Sequence, residues 1–488
     1  MVRTAWRKLS TGIAGLDEIL GGGLIAGRSY LVRGGPGSGK TTLGIQFLIA
    51  GIAAREKSLF ISMEEQEDKI KTNAAALGLD SSGIQFLDIS PSSSFFIEAQ
   101  TYDIFSPAEV ERVPITSKIK EMVEAIKPDR VFIDPITQLR YLSTDIYQYR
   151  RQVLSFLRYL NETGATVLFT SEISQEAPDA DLQFLSDGVI ELGYDPYKGN
   201  QVRVNKIRGS EFLAGWHPMK IKKGGIEIYP ELQPPEQVPD INIENISSGV
   251  PMIDSLLGGG IDRGTVTVIT GPTGAGKTSL GLTFMKEASR RGESSIVYTF
   301  DEEIPVILHR ARSIAIPIDE MLRSERLKIM KVEPLRWSIG EFGQLVRCQV
   351  EEQNARLVMF DSIAGFELAI RGKDLVGRLH ALAKYLQNKG VTLIIICETS
   401  RVVRDFQATE LGLSYLADTI IFLRYIELDG QLRKAIGVLK KRTGDFKKTL
   451  CEFEITSQGI RVGEPLFGYQ GILLGEPKPQ NIGDDEKK

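Results

Sequence analysis

The sequence predicts an α/β protein of two tandem domains, each a mostly parallel twisted sheet flanked by helices. Three observations carry this expectation. A segment near the N-terminus recurs, in order and without a gap, in the second half of the chain. Each copy holds a GxxxxGK[ST] loop between an apolar run and a helical segment. Short β-rich runs then alternate with helical ones through both halves.

The repeat comes first. LSTGIAGLDEILGGGLIAGRSYLVRGGPGSGKTTLGIQF, from Leu9, aligns with ISSGVPMIDSLLGGGIDRGTVTVITGPTGAGKTSLGLTF, from Ile246, at a constant offset of 237 residues. Gly12 meets Gly249, Asp17 meets Asp254, Gly27 meets Gly264 and Lys40 meets Lys277. A period this long is a duplicated domain rather than a solenoid unit. The seam is PELQPPEQVPD, residues 230–240, whose four prolines cannot continue a helix or a central strand. The first domain is therefore expected over residues 1–236 and the second over 237–478, with 479–488 as a polar, disordered tail. Residues 92–108 have no counterpart in the second half and read as an insertion or lid.

Within the first copy, SYLVRGG leads into the glycine-rich loop and TTLGIQFLIAGIAA follows as a helix. SLFISM, RVFID and ATVLFTS come later as strands, separated by helical stretches such as RQVLSFLRYLNE. The second copy repeats the rhythm with TVTVITG, SIVYTF, RLVMFD and VTLIIIC. Fully apolar runs such as TLIIIC suit strands buried on both faces.

Composition excludes several classes. The 488 residues are 42% hydrophobic and 25% charged, ordinary for a globular chain, with a formal net charge of −4 that gives nucleic acid no global attraction. Cys348, Cys397 and Cys451 are too scattered for a zinc site or a disulfide framework, and the three histidines are equally dispersed. The opening MVRTAWRKLSTGIAG has no apolar run of a signal peptide, and no stretch reaches the ~18 apolar residues of a membrane span. A cytoplasmic protein is expected.

The chemistry lies in the loops. Gly34-Gly35-Pro36-Gly37-Ser38-Gly39-Lys40-Thr41, with Thr42, and Gly271-Pro272-Thr273-Gly274-Ala275-Gly276-Lys277-Thr278, with Ser279, both satisfy the full motif. The glycines let backbone N–H groups close on phosphates, the lysine reaches the β- and γ-phosphates, and Thr41 or Thr278 holds Mg²⁺. ATP and Mg²⁺ are the expected ligands. Asp134 ends RVFID and Asp361 ends RLVMFD, each placed as the magnesium-side Walker B acid. Paired acids end the second strand of each copy, Glu64-Glu65 and Asp301-Glu302. A nucleotide hydrolase needs a carboxylate to orient or deprotonate the attacking water, and that reading is preferred here to a solvated turn. Lys206 with Arg208, and Lys440 with Arg442, recur late in the two copies. They are either a solvated face or cations reaching phosphates, the latter in trans if the chain forms a ring.

These features together resemble the KaiC family, the circadian-clock ATPase and autokinase of the RecA superfamily. The resemblance rests on the segments Gly15-Leu16-Asp17 through Gly23 and Ile253-Asp254 through Gly260, on both phosphate loops, on the paired acids, on NKIRGS and LKKRTG, and on the terminal PLFGYQGILLGEP. It spans nearly the whole chain. It implies two RecA-like P-loop domains and a homohexameric double ring with ATP between subunits. Protein partners would dock on the rings or the C-terminal tail. In the first ring Glu64 and Glu65 would be catalytic, with Lys206 and Arg208 acting on the neighbour's nucleotide. The second ring would transfer phosphate to a hydroxyl near Ser414, with Lys440 and Arg442 reaching across. Two residues depart from the family pattern. Tyr415 stands where the threonine of a Ser-Thr acceptor pair would be, and Asp301 replaces a glutamate, setting a general base about an ångström further back, a displacement that can cost ~10²-fold. The alternatives are a DNA-dependent RecA/RadA-like ATPase, disfavoured by the acidity and by the lack of a basic, aromatic-rich loop, and a nucleotide-gated scaffold.

Overall fold

The structure is a computed structural model that describes residues 6–90, 112–140, 145–172, 179–196, 199–232, 244–334, 336–371, 375–399, 415–428, 430–467, 469–470 and 478–479. The chain divides into two compact units, Met1–Glu231 and Leu232–Lys488. The boundary expected at 236/237, the insertion expected at 92–108, Ser414 and tail residues 480–488 lie outside the described residues.

In the first unit the apolar runs become β1 (Ser29–Gly34), β2 (Ser58–Ser62), β3 (Gln85–Asp88), β4 (Arg130–Asp134) and β5 (Thr166–Glu172). Four more strands follow: β6 (Gly188–Asp195), β7 (Gly199–Ile207), β8 (His217–Lys222) and β9 (Gly225–Ile228). They form one nine-stranded sheet ordered β3-β2-β4-β5-β1-β6-β7-β8-β9. Pairing is parallel from β3 to β6 and antiparallel from there to β9. The second unit repeats this order with β10 (Val266–Gly271), β11 (Ser294–Thr299), β12 (Leu327–Lys331), β13 (Ala355–Asp361), β14 (Thr392–Glu398), β15 (Thr419–Leu428), β16 (Gln431–Lys441), β17 (Cys451–Thr456) and β18 (Gly459–Pro465). Its sheet runs β12-β11-β13-β14-β10-β15-β16-β17-β18.

Both faces of the central parallel strands of each sheet are buried, which explains the unbroken apolar runs. Tyr30 and Val32 enter one hydrophobic cluster and Leu31, between them, enters the other. Likewise Val358 and Phe360 part from Leu357 and Met359. This is the period of two expected for a strand covered on both sides.

The segment leading into each central strand is held by side chains. Asp17 accepts from Thr11 N and Thr11 Oγ1 at 2.7 Å and from Ser10 Oγ at 2.5 Å. Asp254 accepts from Ser248 N, Ser248 Oγ and Ser247 Oγ at the same distances. The carbonyls of the triple-glycine turn take a lysine in both units, but not from equivalent positions. Lys8 Nζ donates to Leu20 O at 2.9 Å and Gly21 O at 2.7 Å. Lys441 Nζ donates to Leu257 O at 2.8 Å and Gly260 O at 3.1 Å.

Past each loop runs a helix, α1 (Lys40–Ala53) in the first unit and α2 (Lys277–Arg290) in the second. Each approaches its Walker B strand closely through a glycine. A Cβ on Gly44 would lie 2.1 Å from the Phe132 ring, and one on Gly281 2.3 Å from Met359 Sδ. Among the described residues no helix is long and apolar enough to cross a membrane.

Gly44→Ala is expected to destabilise the first unit by about 1–3 kcal/mol through overpacking, despite alanine's better helix propensity. Gly281→Ala is expected to cost less, because a methionine yields where a buried phenylalanine ring does not. Denaturant unfolding of the two variants checks this; an unchanged or raised midpoint for Gly44→Ala contradicts it.

Candidate functional site

The phosphate loops sit at the C-terminal ends of β1 and β10, where open α/β sheets bind ligands. The last glycine of each loop is fixed twice over. Gly39 and Gly276 have φ of 99° and 108° at the N-caps of α1 and α2. A Cβ there would also lie 2.9 Å from Ile221 Cδ1 or 2.4 Å from Ile455 Cδ1, side chains of the matching strands β8 and β17.

The loop lysines fold back onto their own loops. Lys40 Nζ donates to Gly34 O at 2.9 Å and Gly35 O at 3.0 Å. Lys277 Nζ donates to Gly271 O at 2.9 Å and Pro272 O at 3.0 Å, and stands 3.7 Å from Glu398 Oε1. Burial lowers the Lys277 pKa, opposed by Glu398 and Asp361. The ammonium thus sits where β- and γ-phosphates would arrive.

Next to each lysine is the Walker B acid. Thr41 Oγ1 donates to Asp134 Oδ2, and Thr170 Oγ1 to Asp134 Oδ1, both at 2.5 Å. Burial raises the Asp134 pKa; the two hydroxyls and Lys40 work against it. In the second unit the Thr278 hydroxyl lowers the Asp361 pKa, but β14 carries Ile396 where β5 carries Thr170, by their register against the central strands. Among the described residues Asp361 Oδ2 is accordingly buried with no hydrogen-bond partner. Burial pushes this carboxyl up to about 6, with Thr278, Arg310 and Lys277 lowering it and Glu302 adding to the rise. A hydroxyl beside carboxylate oxygens suits a hard divalent cation that keeps waters and shares phosphate oxygens. Among the described residues no group of three or more His, Cys, Asp or Glu forms a cage of its own.

The paired acids reach the same end of the sheet. Met63 N bonds Asp134 O at 3.0 Å, and Phe300 N bonds Asp361 O at 2.9 Å, so each pair starts beside its Walker acid. The turn is pinned by Ser62 Oγ on Glu65 O, and by Thr299 Oγ1 on Glu302 O at 2.8 Å. Side-chain surroundings then diverge. Glu64 is exposed and Glu65 pairs with Lys69 at 3.0 Å. Asp301 accepts from Ser362 Oγ at 2.7 Å and packs against Gly365, where a Cβ would meet its Oδ2 at 2.3 Å. Glu302 is gripped on both oxygens by Arg310, at 2.7 and 2.6 Å. A cleft of about 660 Å³ joins Lys277, Thr278, Asp301, Glu302, Asp361 and Glu398, with Ile314, Ile396 and Ile455 as apolar wall. That is the size of a small-ligand site.

The late basic pairs lie elsewhere. Lys206 faces Val189, which faces Leu31, three residues or about 10 Å of strand before Gly34. Lys440 faces Ile420, which faces Val268, the same distance before Gly271. Lys206 Nζ donates to Ser186 O at 2.7 Å and Gln183 O at 2.9 Å, and Arg208 to Phe184 O at 3.2 Å. Lys440 Nζ donates to Ala417 O at 2.6 Å and Arg442 to Tyr415 O at 2.8 Å. Each pair therefore stands toward the opposite end of the sheet from its own loop. Burial and then the adjacent guanidinium lower the pKa of both lysines.

Sequence reasoning missed Arg310, Thr170 and Glu398. Arg310 was findable as a difference between copies, since the same offset gives Asn73. Glu398 was findable as a recurrence, because Glu172 and Glu398 end matching strands.

The comparisons agree with this geometry. The KaiC ATPase family model matches residues 9–233 and again 246–466. The chain is 29% identical over 496 residues to the circadian clock oscillator protein KaiC of Rippkaea orientalis, covering 99% of this chain and 93% of the relative. The KaiC protein of a Picosynechococcus species is also 29% identical over 496 residues, with 99% and 94% covered. KaiC 1 of a Synechocystis species is 28% identical over 500 residues, again with 99% and 94% covered. With two nucleotide-site geometries in one chain and a family match over each, the protein belongs to the KaiC family and is a tandem-domain ATPase with RecA-like folds.

Proposed function

We propose that the chain hydrolyses ATP at both loops, and that each nucleotide is completed by cations of a neighbouring copy in a homohexameric ring. One observation carries this: in both units lysine, threonine and Walker acid meet at one end of the sheet while the recurring Lys-Arg pair stands toward the other. A head-to-tail contact between copies would bring the two ends together and close into a ring.

In each site the loop N–H groups and the helix N-terminus receive the phosphates. Lys40 or Lys277 leaves its loop carbonyls for the β- and γ-oxygens. Thr41 with Asp134, and Thr278 with Asp361, would hold Mg²⁺; when bound, that ion neutralises charge on the β- and γ-phosphates. Glu64 or Glu65, and Asp301 or Glu302, orient water and take its proton. Its oxygen bonds to the γ-phosphorus as the bridging O–P bond breaks, leaving ADP with the electron pair and releasing phosphate. Lys206 and Arg208, or Lys440 and Arg442, would stabilise the transferring phosphoryl from the adjacent subunit. In the second unit the Ser414 hydroxyl could take the place of water, giving a serine autokinase. The three free thiols fit a reducing cytoplasm. The relatives' names tie them to circadian timing, and we extend a signalling or timing role to this chain.

Lys40→Ala and Lys277→Ala are each expected to lower turnover at their own site by about 10²-fold or more, and the double variant to lose hydrolysis. ADP release and phosphopeptide mapping in one reaction check this. Hydrolysis that survives the double variant contradicts it, and phosphate on Ser414 that vanishes with Lys277→Ala establishes the kinase step.

The Asp361 carboxyl must ionise to hold a cation, and its pKa is raised to about 6. Mg²⁺-dependent ATP binding by Lys40→Ala protein is therefore expected to weaken as pH falls from 7 through 6, by up to tenfold per pH unit below it. Ile396→Thr supplies the missing hydroxyl, favours the ionised form and is expected to move that midpoint to lower pH. Binding isotherms across pH check both; a flat profile contradicts them.

A further inference from the structure

The two phosphate loops hold their lysines alike, but the second acid of each pair is placed differently. Glu302 receives one N–H on each oxygen from Arg310, at 2.7 and 2.6 Å, in a parallel bidentate pair. Both partners are about a third exposed or less, and both line the cleft with Lys277 and Asp361. In the first unit the position matching Arg310 is Asn73, exposed on the helix Glu67–Ala76, and the Glu65 carboxylate pairs with an exposed Lys69 at 3.0 Å. Fork-to-fork bonds are short, directional and about twice as strong as neutral ones.

We propose that Arg310 is a positioning residue that latches Glu302 and makes the second site the slower hydrolase. This rests on the reading of both loops as ATP-hydrolysing sites. Each Glu302 oxygen keeps a second lone pair, but both already accept from a guanidinium, which makes the carboxylate a weaker base toward water and fixes its plane. Asp301 does not replace it, being shorter than glutamate and held by Ser362 at 2.7 Å. The second site thus keeps its nucleotide intact for longer, while the first, whose matching residue carries no guanidinium, turns over freely. A unit that must hold ATP for transfer to a hydroxyl, or hold subunits together, benefits from such a latch.

The test uses the full chain in two backgrounds. With the first site silenced by Lys40→Ala, Arg310→Asn is expected to raise kcat about tenfold, the equivalent of about 1.4 kcal/mol, with KM within twofold. Arg310→Lys, which keeps the charge but loses the fork, is expected to fall between. Adding Glu302→Gln to Arg310→Asn is expected to erase the gain, which a general loosening of the cleft would not do. With the second site silenced by Lys277→Ala, Asn73→Arg is expected to slow the first site about tenfold. An unchanged or lowered kcat in Arg310→Asn protein, or a gain that survives Glu302→Gln, overturns the latch; if Arg310→Asn does not fold, an unslowed Asn73→Arg site does so alone. Hydrolysis persisting in the Lys40→Ala, Lys277→Ala double variant would overturn the functional reading instead.

Discussion

The structure depends on a hydroxyl–carboxylate bond that reaches across one strand. Thr41 belongs to the helix after β1, and Asp134 to the tip of β4; β5 lies between them, yet Oγ1 and Oδ2 are 2.5 Å apart. That contact fixes the phosphate loop relative to the Walker strand. It is possible only because Gly44 lets the helix down onto Phe132. The second unit repeats the close helix approach through Gly281 and Met359, and places the Thr278 hydroxyl where it lowers the Asp361 pKa. Each loop lysine is held beside the loop by its own carbonyls, so it has only to exchange those partners for phosphate oxygens when a triphosphate arrives. Preorganisation of this kind lowers the cost of binding.

What differs between the units is the company kept by the carboxylates. Asp134 has two hydroxyl donors, whereas among the described residues Asp361 keeps an orphaned oxygen, in a cleft that Ile396 also lines. Glu302 has a guanidinium where Glu65 has an exposed lysine. Asp301 is occupied by Ser362. The duplication has kept the two phosphate loops alike and let the surroundings of the carboxylates drift. The proposed difference in rate between the two sites needs no change in topology.

Much of this was legible in the sequence. Alternating burial on two covered faces produces unbroken apolar runs, and each run named from the sequence became a strand of its sheet. Within each unit the loop, the Walker acid and the paired acids ended at one end of that unit's sheet, because parallel strands deliver their C-terminal ends together. The tight glycine contacts and the wall of Ile221 and Ile455 were not legible, since those residues come from strands about 180 positions away. The lysine under the triple-glycine turn was hidden for a different reason. Lys8 and Lys441 fill the same electrostatic role from unrelated places in the repeat, so aligning the copies conceals it. The Arg310 pair was invisible as a motif because it depends on helix phase, two turns beyond the acid.

The most direct test of the account asks whether the Lys-Arg pairs serve a neighbour's nucleotide. One protein carries Lys40→Ala and Lys277→Ala, with its late cations intact. The other carries Lys206→Ala, Arg208→Ala, Lys440→Ala and Arg442→Ala, with its loops intact. Each alone is expected to be nearly inactive. Co-expressed in equal amounts and assembled at random, they place an intact loop against intact cations at about one contact in four, so about a quarter of the normal ATPase rate should return. Full activity of the cation-deleted protein on its own, or no recovery in the mixed assemblies, would contradict completion of the site by a second copy.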